Sequence, residues 1–162
     1  SPDGRDYIEN HNVVLLHTFS KAYALAGLRC GYGLARPEIV RYLQQVRGPF
    51  NVNALAQAAA IASLRDETQV QKARANNRAG REYLYRAFDE LKLEYVPTEA
   101  NFVLVNSGRP AQEMFNALLR HGVIVRTGDP FGMPTWLRVT IGTPPMNERF
   151  ISALRAILSP AA

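Results

Sequence analysis

Apolar residues in the first half of the chain follow strand-like spacing and then helical spacing. Asn12 to Phe19 is a nearly continuous apolar run, which is typical of a strand buried on both faces of a parallel sheet. Leu28 to Ala35 predicts a second strand. Helical spacing follows from Pro37 to Val46, and Asn53 suits the N-cap of an alanine-rich helix over Ala54 to Leu64. Strands followed by helices indicate an α/β fold.

The second half changes to short elements after a long helix, which is predicted from Glu67 to Leu91. Strands are predicted over 99–107, 123–127 and 136–142, and helices over 111–122 and 147–158. Strand, helix, strand, strand and helix in this order form a two-layer α/β pattern. We therefore predict two domains, residues 1–66 and residues 67–162, and the second domain includes the long connecting helix.

Composition narrows the classes of protein. Of the 162 residues, 47% are hydrophobic, which is enough for a packed core. Cys30 is the single cysteine and no charged-then-apolar leader opens the chain, so a cytoplasmic protein is expected. The richest apolar stretch, Ala54 to Leu64, contains Gln57 and Ser63 and falls short of the roughly 20 residues that cross a bilayer. Neither a membrane partner nor a metal site is predicted.

The net charge of +5 and the pI near 9.7 raise the question of a nucleic-acid partner. Arg74, Arg78 and Arg81 are spaced as one face of a helix, without the interleaved aromatic residues of RNA-binding modules. We interpret this face as solvated and predict no nucleic-acid partner, although a basic nucleic-acid binder stays open as a minor alternative. Any functional arginine is expected to bind a small anion.

The segment His17 to Gly33, HTFSKAYALAGLRCGYG, carries groups that suit a phosphate and an aldehyde. Strand alternation places Thr18 and Ser20 on one side at the carboxyl end of the first strand, where ligands gather in α/β sheets. The same alternation places Arg29 beside glycines, whose missing side chains leave clearance for a bulky ligand. Hydroxyls and a guanidinium bind a phosphate dianion, and Lys21 near that cation is a candidate nucleophile. Together these groups suggest pyridoxal phosphate.

The same segment closely resembles the cofactor-lysine motif of the fold-type I pyridoxal-phosphate aminotransferases of class I/II. Residues 47–66, 99–105, 122–126 and 136–143 resemble the histidinol-phosphate aminotransferases in particular. The resemblance implies that residues 1–66 are the C-terminal part of the large cofactor-binding domain, followed by the connecting helix and the small C-terminal domain over 67–162. The family's aspartate opposite the pyridine nitrogen, its ring-stacking residue and its tyrosine across the dimer interface would precede Ser1.

The resemblance also implies roles for the cofactor-binding residues. Lys21 matches the catalytic lysine that links covalently to pyridoxal 5'-phosphate and then moves the proton at the substrate's α-carbon. Thr18, Ser20 and Arg29 match the positions that hold the cofactor phosphate. These three residues would anchor the cofactor, whereas Lys21 would react.

Two arginines in the second half match the family's substrate-binding positions. Arg138 matches the arginine for the substrate α-carboxylate, and strand alternation agrees because Leu137, Val139 and Ile141 form the apolar face. Arg126 resembles the arginine that meets the phosphate of histidinol phosphate. Both arginines are therefore predicted to bind the anionic groups of the substrates.

The activity implied by the resemblance is amino transfer between histidinol phosphate and 2-oxoglutarate in histidine biosynthesis, by a homodimer in the full-length protein. Other readings stay open. Another class I/II aminotransferase, acting on aromatic or general amino acids, or a decarboxylase of phosphorylated substrates with a similar fold would carry the same lysine motif. A non-catalytic fragment would carry the residues without their function.

Overall fold

A long helix, α3 (Glu67–Glu90), connects two units of the chain, which divide between Lys72 and Ala73. The computed structural model describes residues 3–159, so the outermost residues of both predicted domains, 1–2 and 160–162, lie outside the described residues. The start of α3 agrees with the predicted helix. The domain limits at residues 66 and 67 stay a prediction.

Two strands in the first unit pair antiparallel, β1 (Leu15–Thr18) with β2 (Gly31–Leu34). The apolar run predicted a strand buried on both faces of a parallel sheet. The pairing of β1 with β2 is antiparallel, so the expectation of a parallel pairing is wrong for these two strands.

The helices of the first unit form where their capping signals stand. Helix α1 (Pro37–Val46) begins with proline at its first position, and α2 (Ala54–Arg65) follows. The Asn53 side chain accepts a hydrogen bond from the Ala56 amide over 2.8 Å, so the predicted N-cap is confirmed.

The second unit is a four-stranded antiparallel sheet with helices. Its strands lie in the order β3-β4-β6-β5. The elements are β3 (Tyr95–Val96), β4 (Phe102–Asn106), α4 (Ala111–Arg120), β5 (Arg126–Thr127), β6 (Trp136–Thr140) and α5 (Pro144–Leu158). Strand β3 has no counterpart in the sequence prediction. Helix α5 begins three residues earlier than predicted, because prolines suit the first positions of a helix.

One face of this sheet carries the core of the second unit. Val103 and Val105 of β4 lie opposite Val139 and Leu137 of β6, and all four side chains are buried. Helical residues complete the cluster: Leu84, Phe88, Met114, Leu118, Phe150, Ile151 and Leu154. The alternate residues of the same strands therefore form the opposite face of the sheet, outside this core.

Candidate functional site

Lys21 lies in the loop between β1 and β2, which main-chain hydrogen bonds close. The Phe19 amide donates to the Cys30 carbonyl over 3.1 Å, and the Leu25 amide donates to the Phe19 carbonyl over 3.0 Å. Phe19 is only 3% exposed and anchors the loop, whereas Lys21 is exposed. The loop therefore presents an accessible amine from a closed backbone.

The hydroxyl groups predicted to bind a phosphate stand at the start of this loop. The Ser20 amide donates to the Thr18 hydroxyl oxygen over 3.0 Å, so the two residues are brought together at the end of β1. Because the Thr18 oxygen accepts this bond, its own proton is free for a ligand. Thr18 and Ser20 therefore lie next to Lys21, as the sequence predicts.

Arg29 lies at the other end of the loop and outside β2. It follows a 3₁₀ turn over Ala26–Leu28 and has φ 54° and ψ 52°, which is the left-handed region. The prediction that Arg29 shares a strand face with the neighbouring glycines is wrong, because the preceding backbone bonds within the turn and β2 starts only at Gly31. One guanidinium nitrogen donates to the Ala26 carbonyl over 2.7 Å.

The backbone of the loop is strained at two residues. Ala24 has φ 58°, and its amide donates to the Lys21 carbonyl over 2.9 Å. With Arg29, this gives two left-handed residues that are not glycine between β1 and β2. Such conformations each cost on the order of 1–3 kcal/mol and cluster at ligand-binding sites. The shape of the loop thus supports the candidate site independently of its sequence motif.

Close packing of the backbone explains one of the glycines beside Arg29. A Cβ atom at Gly31 would lie 2.6 Å from the His17 carbonyl oxygen of the facing strand. At Gly33 the nearest atoms would be ordinary neighbours at 3.4 Å. Clearance for a ligand was the expectation at these positions, but at Gly31 the glycine is required by the approach of β1.

Arg126 and Arg138 stand directly opposite each other on neighbouring strands. The register pairs Arg126 of β5 with Arg138 of β6, so both side chains share the face that points away from the core. The predicted alternation is confirmed, since Leu137 and Val139 are buried while Arg138 is half-exposed. Arg126 is exposed. The structure therefore brings the two predicted substrate arginines together.

Nothing acidic neutralises this pair among residues 3–159. The ion pairs there join Arg5 to Asp3, Arg81 to Glu99 and Arg155 to Glu90. Like charges directly opposite each other destabilise a sheet, by about 1 kcal/mol at 4 Å in water. An anion bound between the two guanidinium groups would turn this repulsion into attraction. The arginine face, which we define as Arg126 and Arg138, is therefore a candidate anion receptor.

The aromatic ring of Phe102 contacts this face and was not predicted as a site residue. The guanidinium carbon of Arg138 lies 4.0 Å from the centre of the Phe102 ring. Asn101 directly precedes β4. Asn101 is exposed, and its carbonyl accepts a hydrogen bond from the Ile141 amide over 3.0 Å.

Two tyrosines near the lysine loop pack against Phe19. The ring centres of Phe19 and Tyr23 lie 5.0 Å apart, and those of Phe19 and Tyr32 lie 5.6 Å apart. Tyr32 also stacks on His17 at 4.9 Å. These contacts hold the base of the loop.

The lysine loop lies in the first unit and the arginine face in the second. Within residues 3–159, no helix is long and apolar enough to cross a membrane. The same part of the chain contains no group of three or more His, Cys, Asp or Glu residues arranged to hold a metal ion. The chemistry to be explained is therefore that of an amine, hydroxyls and guanidinium groups.

The hydroxyls and guanidinium of the lysine loop and the paired arginines of the second unit are groups that can bind anions. The chain belongs to the family aminotransferase class I and II, whose model matches residues 4–154. Within this family, the chain is 61% identical over 148 residues to the histidinol-phosphate aminotransferase of Moorella thermoacetica, and 54% identical over 157 residues to that of Symbiobacterium thermophilum. The chain spans 38% and 44% of these two relatives and is itself covered to 91% and 96%.

A solved structure agrees with this assignment. The histidinol-phosphate aminotransferase of Sinorhizobium meliloti, in complex with pyridoxal-5'-phosphate, matches with a TM-score of 0.82 and 26% identity. The match covers 94% of the chain and 44% of that structure. The predicted α/β fold of a pyridoxal-phosphate aminotransferase is therefore confirmed.

Proposed function

We propose that the chain is the part of a histidinol-phosphate aminotransferase that carries the cofactor lysine and the substrate arginines. The names of the Moorella and Symbiobacterium relatives support this assignment. The proposed reaction moves the amino group of histidinol phosphate to 2-oxoglutarate. Because the chain spans less than half of those relatives, we propose the activity for the whole protein, as a homodimer in the cytoplasm.

The donor set of the lysine loop fits pyridoxal 5'-phosphate. When bound, this cofactor supplies an aldehyde and an electron sink for reactions at the substrate's α-carbon. Thr18, Ser20 and Arg29 would hold its phosphate, since two hydroxyl donors and a guanidinium complement a dianion. Arg29 donates one N–H to the Ala26 carbonyl, and its other N–H groups are available to a ligand.

Lys21 has two proposed roles at its Nζ atom. Its Nζ would bond to the aldehyde carbon of the cofactor, with the aldehyde oxygen leaving as water, and the amine of the substrate would later displace it. The freed Nζ would be placed to take the proton from the substrate's α-carbon and to return it on the cofactor side. Exposure of Lys21 on a closed loop suits both roles, because the amine is accessible while its backbone is held.

The position of Arg126 opposite Arg138 carries the proposal for the substrates. Histidinol phosphate brings a phosphate ester, and 2-oxoglutarate brings an α-carboxylate. In a ping-pong cycle the two substrates occupy the same site in turn, so one arginine face can serve both anions. We assign Arg138 to the α-carboxylate, as a bidentate clamp, and Arg126 to the phosphate.

The experiment uses the protein expressed with all of its coding sequence. Glutamate formed from histidinol phosphate and 2-oxoglutarate is measured for the unchanged protein, for Lys21→Ala and for Lys72→Ala, an exposed lysine in α3. We expect kcat to fall by about a hundredfold to ten-thousandfold in Lys21→Ala, which is the usual contribution of a general base, and to change little in Lys72→Ala. Equal activity of the two variants would contradict the role of Lys21.

Cofactor binding is tested without turnover. Pyridoxal 5'-phosphate is added to the same proteins, the adduct is reduced with borohydride, and its position is read by peptide mass spectrometry. An adduct at Lys21 that is absent in Lys21→Ala supports the proposal. Labelling spread over Lys72 and Lys92 without preference for Lys21 would contradict the proposed role of Lys21.

Substrate choice separates this proposal from the other class I/II activities. Turnover of histidinol phosphate is compared with that of phenylalanine at equal concentration. A preference for the phosphorylated substrate that falls in Arg126→Gln supports the assignment. Equal rates would indicate a general or aromatic aminotransferase, and release of carbon dioxide would indicate a decarboxylase.

A further inference from the structure

The Arg138 guanidinium lies over the aromatic ring of Phe102 in the second unit. The guanidinium carbon lies 4.0 Å from the ring centre, well inside the roughly 6 Å that defines a cation–π interaction. Phe102 is half-buried, so its ring stays in place on the sheet. The ring face, and not its edge, carries the negative charge that attracts a cation.

The strand register explains how the two side chains meet. Arg138 lies opposite Leu104 of β4, and Phe102 lies opposite Thr140, two residues further along β6. Phe102 and Arg138 are therefore diagonal neighbours on one face. Such neighbours are about 7–8 Å apart at their Cα atoms, a distance that aromatic and long side chains bridge.

The contact directs Arg138 toward one side of its strand. Strand β6 lies between β4 and β5, and Phe102 is on β4 whereas Arg126 is on β5. The ring therefore holds the Arg138 guanidinium on the side away from Arg126. This orientation reduces repulsion in the arginine face and opens a space between the two charged heads.

We propose that Phe102 is a positioning residue that holds Arg138 ready for the substrate anion, an inference that rests on the proposed function of Arg138. Contact with a ring face uses no N–H group, so the guanidinium keeps its full fork of donors for a carboxylate. Nor does it have an acidic partner within residues 3–159. Phe102 thus orients the receptor without competing for it.

The kinetic test compares three variants of the protein with its complete coding sequence. Phe102→Leu removes the ring and keeps an apolar side chain, while Phe102→Tyr keeps the ring. Phe115→Leu makes the same exchange on α4, where the side chain is half-buried against the core. A cation–π contact of this kind changes binding by roughly 3- to 30-fold.

We expect Phe102→Leu to raise KM for 2-oxoglutarate by that factor with kcat nearly unchanged, because a positioning contact acts in binding. Phe102→Tyr should restore the KM of the unchanged protein, and Phe115→Leu should not raise KM. An unchanged KM in Phe102→Leu, or an equal rise in Phe115→Leu, would overturn the inference.

A second measurement needs no activity and uses the 162-residue chain itself. In NMR spectra, the ring should shift the Arg138 Nε–H signal upfield, and Phe102→Leu should abolish this shift. Titration with 2-oxoglutarate should move the signal with an affinity weakened roughly 3- to 30-fold in Phe102→Leu. An Arg138 signal at the same position in both proteins, or equal 2-oxoglutarate affinities, would refute the role of Phe102. If transamination is absent but these shifts appear, the proposed function fails while the positioning of Arg138 stands.

Discussion

Removal of one arginine from the arginine face should stabilise the ligand-free chain. The change is Arg126→Gln, which deletes a charge that lies directly opposite Arg138. The Arg138 guanidinium lies over Phe102, on the side of β6 away from Arg126, so the two charges are further apart than the roughly 5 Å between opposed Cβ atoms. At about 10 Å two unit charges repel by about 0.4 kcal/mol in water. Since Arg126 is exposed, the substitution removes little packing. We expect the free energy of unfolding to rise by about 0.2–0.5 kcal/mol at low salt.

The assay is urea unfolding of the 162-residue chain at low ionic strength and at 1 M salt. At 1 M the screening length falls to about 3 Å, so the gain should disappear. Arg120→Gln is the matched control because it changes the net charge equally. Arg120 lies in the last turn of α4, where a cation is favourable, so this variant should instead lose about 0.3–1 kcal/mol.

Phosphate should make the unchanged chain more stable than Arg126→Gln, which reverses their order of stability without ligand. At ten times its Kd, bound phosphate stabilises the unchanged chain by about 1.4 kcal/mol, and Arg126→Gln should gain less because half of the receptor is lost. A destabilised Arg126→Gln at low salt without phosphate, or a gain that persists at 1 M salt, would show that repulsion does not act between these arginines.

Two further predictions concern the pairing of β1 with β2 and the start of α3. Gly31→Ala should destabilise the β1–β2 pairing by about 1–3 kcal/mol, because the added Cβ would lie 2.6 Å from the His17 carbonyl oxygen. Gly33→Ala, measured in the same way by urea unfolding, should cost less stability. Equal losses of stability in the two variants would contradict this prediction. The hydrogen bond from the Thr68 hydroxyl lowers the pKa of Asp66 in the folded chain. The Asp66 carboxylate should therefore stabilise α3 fully above the unfolded pKa of about 3.9, and this stabilisation should be lost as pH falls through the lower folded pKa. The stability difference between the unchanged chain and Asp66→Asn should therefore shrink below about pH 4, and a difference independent of pH would contradict this.

Signals that act within a few residues made most elements predictable from the sequence. Asn53 caps α2 through its own side chain, and the alternation from Leu137 to Val139 separates the core from the arginine face. The left-handed backbone conformation of Arg29 was not predicted, because it is rare for a residue other than glycine. The spacing of apolar residues alone continues β2 through Arg29. Strand β3, two residues long, is too short to show a period.

Contacts across strands were the part of the candidate site that the sequence could not supply. Lys21, Thr18 and Ser20 lie close together in the chain, so their motif states their proximity. Arg126 and Arg138 meet only because β5 and β6 pair in one register. The Phe102 contact needs the register of β4 as well, and a shift by one residue would move that ring to the core face.

The packing of the second unit bears on how well the arginine face is prepared for a ligand. Every member of the second unit's core cluster lies between Leu84 and Leu154, and β6 passes through it with Leu137 fully buried. Arg138 is therefore held by a strand with core residues on either side of it, and a preorganised receptor loses little entropy when the anion binds.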